Sequence, residues 1–97
     1  MVKEKKLNYN IILINLDGLR KDKIDLCYNL KLFGDASTSF SNMISVSPYT
    51  LAAHHTIFSG LYPSQNGVDS YYHMFRFKKN ELTTFPELLK NAGYYTK

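Results

Sequence analysis

The stretch that most constrains this chain is residues 45–67, SVSPYTLAAHHTIFSGLYPSQNG. Ser47-Pro48 favours an extended or turn backbone just ahead of the proline. Tyr49 and Thr50 follow, then eight residues free of Gly and Pro (LAAHHTIF), then Ser59-Gly60. That punctuation predicts a short helix with Thr50 at its N-terminal end and Gly60 stopping it. A hydroxyl there lies among unpaired backbone N–H groups at the positive end of the helix dipole. Such a place suits an anionic ester or its transition state. Thr50 and His54 are four residues apart, so the helix puts them on one face. His55 is expected to fall off that face. Two uses of Thr50 stand side by side, a plain N-cap and an activated nucleophile.

Composition narrows the function classes. A chain of 97 residues suffices for one small domain that buries a modest share of its surface. Hydrophobic residues at 44% and charged residues at 21% fit a folded chain rather than a disordered one. The net charge of +4 comes mostly from clusters at 3–6, 20–23 and 76–79. Three short clusters without a nucleic-acid-binding signature read as solvated surface, so no nucleic-acid partner is expected. Cys27 is the single cysteine, which precludes an internal disulfide and fits a reducing compartment. The longest apolar run, 11–14, is far too short for a membrane span, and MVKEKK leads into no signal-like segment. A cytoplasmic location is the expectation.

In chain order, residues 10–16 (NIILINL) read as a strand buried on both faces, as in the centre of a parallel sheet. Asp17-Gly18 follows. The next residues, LRKDKIDLCYNL, lack the alternation that a hairpin partner needs, so Asp17 is placed at the carboxyl end of the strand. A carboxylate there is usually paired or metal-bound, whereas an exposed turn aspartate is the plainer alternative. Residues 24–33 form a weak amphipathic pattern ended by Gly34-Asp35. Residues 40–46 suggest a second strand that delivers Thr50 to the sheet edge. LYPSQNG reads as a turn-rich loop, and YYHMFRF at 71–77 as either a strand or a covering loop. Thr84 and Glu87 match a capping box for a helix over 84–92 with Gly93 as its stop, and 94–96 look like the opening of another strand.

Three blocks in order, NIILINLDGLRKDKI, SFSNMISVSPYTLAAHHTIFSGLYPSQNGV and LTTFPELLKNAGYYTK, resemble the N-terminal part of the sulfatase family. That family belongs to the alkaline-phosphatase-like superfamily of metal-dependent ester hydrolases and transferases. The resemblance implies an α/β fold, the N-terminal part of an alkaline-phosphatase-like sandwich with a mostly parallel central sheet, incomplete over these residues. Residues 1–9 are then a polar lead-in and 10–97 the N-terminal portion of a sulfatase-like catalytic domain, whose remainder activity requires. The family's first strand ends in a metal-binding aspartate, a position held here by Asp17; Gly18 stands where many sulfatases have a second. Its nucleophile lies ten residues before the glycine that ends the helix, which gives Thr50. Sulfatases proper carry Cys or Ser within C/S-x-P-x-R and oxidise it to formylglycine. Here Thr50 and His54 take the two positions, and Ala52 and Ala53 replace the intervening proline and small polar residue. Threonine at the nucleophile position resembles the phosphodiesterase, phosphatase and phosphotransferase branches.

What the resemblance implies is a hydrolase of small-molecule or glycan sulfate or phosphate esters acting through a covalent Thr50 intermediate. A divalent metal bound by Asp17 and Thr50 is expected, Ca²⁺, Mg²⁺ or Mn²⁺ with oxygen ligands or Zn²⁺ with histidines. His54 is placed to hydrogen-bond the ester or protonate the leaving group, with a surface histidine as the plain alternative. Two other classes remain open at this level: a transferase of phosphate-containing head groups, and a non-catalytic remnant serving as a binding module.

Overall fold

The computed structural model describes residues 9–97. The basic cluster at 3–6 and nearly all of the lead-in expected over 1–9 lie outside the described residues. The chain divides into two compact units, Met1–Ser39 and Phe40–Lys97.

In the first unit, residues 10–16 join no hydrogen-bonded ladder, and no β-strand occurs among the described residues. The α/β assignment with a mostly parallel central sheet is thereby corrected: every regular element described is helical. The reason is that a strand exists only through the N–H and C=O groups of a neighbour, and none pairs with this segment. Its side chains are not buried on two faces either, since Ile12 is 81% exposed and Ile14 75%. The strands expected at 40–46 and 94–96 are likewise irregular. Asp17-Gly18 forms a turn rather than a strand end. The amphipathic segment at 24–33 is two pieces, a 3₁₀ helix at Lys21–Leu26 and α1 at Tyr28–Asp35, separated by Cys27 in a non-helical conformation. The Ser37 hydroxyl closes α1 by donating to the Phe33 carbonyl at 2.6 Å.

The second unit is organised by α2, Thr50–Ser59, on which α3 (Pro63–Asn66), α4 (Phe85–Asn91) and a 3₁₀ helix at Tyr71–Arg76 all pack. The 3₁₀ helix decides the ambiguity at 71–77, and α3 puts one turn of helix inside the expected loop. Gly60 ends α2 as expected, with φ of +68° and its N–H on the Thr56 carbonyl at 2.8 Å. The chain then folds back on α2 through Asn66. This fully buried amide donates to Ser59 Oγ at 3.3 Å and to the Leu61 carbonyl at 3.2 Å, and its oxygen accepts the Val68 N–H at 2.9 Å. Every polar atom of the side chain is thus bonded, as burial requires. Ala52 and Val68 are the fully buried apolar side chains among the described residues. Alanine at position 52 is therefore a close-packing position of α2.

The capping signal at α4 is borne out with a twist. The Glu87 carboxylate reaches back and accepts both the Thr84 N–H and the Thr84 hydroxyl, each at 2.7 Å. These two bonds, the backbone one foremost, hold the Glu87 carboxyl below its ordinary range. A depressed folded value means that the contribution to stability is complete above the ordinary glutamate range and is lost as pH falls through the folded value. Helix α4 should therefore loosen on acidification in the wild type. In Glu87→Gln, which keeps an acceptor but no charge, that part of the pH dependence should vanish. Melting followed by circular dichroism across the acid range, wild type against variant, checks this; identical pH profiles would refute it.

Candidate active site

The start of α2 sets the geometry. Tyr49 approaches in extended conformation and is the N-cap residue; its own side chain makes no capping bond, and its N–H is donated to the Ser47 hydroxyl at 3.5 Å. Thr50 is the first helical residue, one position inside the cap. Its hydroxyl therefore lies in the first turn, where backbone N–H groups have no intrahelical acceptor. Thr50 and His54 line the same cavity, so the structure brings the two sequence-predicted catalytic residues together. The cavity is about 540 Å³, and its walls come from α2, the 3₁₀ helix and α4, with Tyr71, Phe77 and Pro86 among them.

His55 lines that cavity as well, contrary to the expectation that it points elsewhere. Adjacent helical residues are about 100° apart, but the cavity is wide enough to take both the Thr50–His54 and Leu51–His55 stripes. The His55 ring is fixed from two sides. Nδ1 lies 2.8 Å from the Leu51 carbonyl, and the ring meets Phe77 edge-on at 4.7 Å between centroids and 67° between planes. The available signal was the (i, i+4) pair Leu51–His55 running beside Thr50–His54.

The far wall is braced from outside. Tyr71 stacks on Tyr49 at 4.8 Å and 29°. Two residues on either side of it, the Asp69 carboxylate accepts a hydrogen bond from His73 Nδ1. That bond is the main cause of the lowered Asp69 pKa. The pair clamps the turn that carries Tyr71, so His73 has a structural role.

Asp17 belongs to the other unit. It lines a separate open cleft of about 480 Å³ with Asn15, Cys27 and Leu30. Among the described residues, no group of three or more His, Cys, Asp or Glu side chains is placed to hold a metal ion. The donors present therefore do not amount to a metal centre, and no step of the reaction is assigned to one.

A hydroxyl and an imidazole on one helix face, in the first turns of a helix, are groups that nucleophilic attack on an anionic ester can use. A family model described as Type I phosphodiesterase / nucleotide pyrophosphatase matches residues 11–90. The chain belongs to that family, and with it to the phosphate-ester hydrolases of the alkaline-phosphatase-like superfamily. The resemblance to sulfatases is thus one of shared superfamily. Searches of curated proteins and of solved structures gave no match. No helix among the described residues is long and apolar enough to cross a membrane.

Proposed function

We propose that this chain supplies the nucleophile-bearing portion of a phosphodiester hydrolase, with Thr50 as nucleophile and His54 as proton donor. The observation that carries the reading is the shared cavity: Thr50 and His54 line it together, on the N-terminal turns of α2. Family membership supplies the substrate class, a small-molecule phosphate ester. In the first step Thr50 Oγ1 bonds to phosphorus as the P–O bond to one alcohol breaks. The departing oxygen keeps the electron pair and takes a proton from His54, while the threonine proton passes to solvent. Water then attacks phosphorus and gives a proton to His54. The P–O bond to Thr50 breaks, and Oγ1 recovers a proton from solvent. The sum is diester plus water giving monoester plus alcohol.

The first-turn N–H of Leu51, a residue of the cavity wall, stabilises the charge that develops on the phosphoryl oxygens.

Threonine cannot become formylglycine, so the reading favours phosphate over sulfate. Parallel assays of the complete enzyme with an aryl phosphodiester, the corresponding aryl phosphate and the corresponding aryl sulfate should show turnover of the phosphoesters, the diester foremost. A clear preference for the sulfate would overturn the assignment. Product that forms only when an acceptor alcohol is supplied would mark a transferase instead.

A further inference from the structure

We propose that His55 selects the organic group of the ester, offering Nε2 as a fixed acceptor for an O–H or N–H on that group. The inference rests on the cavity beside Thr50 being the substrate site, and it deepens that reading by naming the substrate's chemistry.

A carbonyl oxygen only accepts, so the 2.8 Å contact to Leu51 requires the proton on Nδ1. In the neutral ring Nε2 then carries the lone pair. The contact to Leu51 engages Nδ1 and leaves Nε2 on the opposite side of a half-buried ring that lines the cavity. The acceptor is therefore presented to whatever enters. Phe77 and the Leu51 carbonyl fix the direction in which it is offered, so little ordering remains to be done on binding.

The surrounding walls, Leu51, Phe58, Tyr71, Phe77 and Pro86, provide apolar area but little orientation. In such a setting one acceptor discriminates strongly. A ligand lacking a donor strips water from Nε2 and returns nothing, whereas a ligand bearing one replaces the lost bond. The expected substrate group is a flat or compact apolar body carrying a hydroxyl or amino donor, esterified to phosphate.

The test uses the full chain and matched probes: the ortho, meta and para hydroxyphenyl methyl phosphates and their methoxy counterparts. Charge and ring are the same in each pair; the methoxy probe lacks the donor and carries one more methyl group, and the His55→Phe comparison below separates the two differences. For the isomer that reaches Nε2, the hydroxyl probe should bind about tenfold more tightly than its methoxy partner. The His55 Nε2 nitrogen resonance should move with the hydroxyl probe and stay with the methoxy one. His55→Phe keeps an aromatic ring beside Phe77 and removes the acceptor, so it should level the two affinities. A ring that serves only packing would leave the ratio unchanged. If His55→Phe does not fold, the wild-type nitrogen resonance decides, and a resonance indifferent to the hydroxyl overturns the proposal. Equal binding of every pair overturns the role of His55 while leaving the cavity as the substrate site. Failure of every probe to bind removes both.

Discussion

In the complete enzyme, Thr50→Ala should abolish phosphodiester turnover while the protein still folds. A nucleophile that forms the covalent intermediate has no substitute, so the expected loss is on the order of 10⁴-fold or more. Stability should hardly change. Thr50 is the first residue inside α2, the cap is Tyr49, and alanine is the better helix former, so the difference stays within about 0.5 kcal/mol. A capping threonine would behave in the opposite way, losing about 1 kcal/mol on truncation and keeping its activity. Thr50→Ser retains a hydroxyl in the same turn and should keep part of the rate. The added mobility of a side chain without the methyl group costs some of the alignment. Acid quenching during turnover, followed by peptide mass analysis around position 50, looks for the intermediate directly. A phosphate adduct on Thr50 supports the mechanism. Turnover near the wild-type level in Thr50→Ala ends it.

What could be read from the chain beforehand follows how far each signal reaches. The end of α2 at Gly60 and the Thr84–Glu87 cap of α4 depend on residues at most four apart, and both stand where the pattern puts them. The pairing of Thr50 with His54 is equally local, because one helical turn brings the two together. The run NIILINL is a different kind of signal. Its composition says that burial would be favourable but cannot name a partner strand, and the described residues contain none. The Ile12 and Ile14 side chains stay exposed as a consequence.

The cavity lay between these extremes. Its floor is α2, legible from 50–59, but Tyr71, Phe77 and Pro86 reach it from distant positions. No periodicity in YYHMFRF announces that Phe77 will meet the ring of His55. Asn66 was hidden for a related reason. Within LYPSQNG it looks like an ordinary turn residue. Its burial becomes tolerable only once Ser59, Leu61 and Val68 surround it with partners.

Gly67→Ala should be far more damaging than its position in a turn suggests, and for two separable reasons. Gly67 has φ of +94°, where a Cβ costs about 1–2 kcal/mol. A Cβ there would also stand 2.2 Å from the Arg76 carbonyl oxygen and 3.1 Å from its carbon. Backbone is on both sides of that clash, so no side chain can swing away to relieve it. The strand of chain at 76–78 must lift, and with it the bond from the Lys78 N–H to the Asn66 carbonyl, 3.1 Å in the native protein. Loss of that bond adds about 1 kcal/mol, giving a total of about 2–3 kcal/mol. Gly60→Ala is the control. Its φ is +68°, but nothing lies within 4 Å of an added Cβ, so only the conformational cost of about 1–2 kcal/mol applies. The same displacement reaches the site, because Phe77 lies between Arg76 and Lys78 and its ring holds that of His55. Gly67→Ala should therefore lower the melting temperature well below that of Gly60→Ala. It should also broaden the His55 ring resonances at temperatures where the protein is still folded. Equal melting temperatures for the two variants would mean that the backbone at 76–78 yields freely, and that the cavity wall is not held from Gly67.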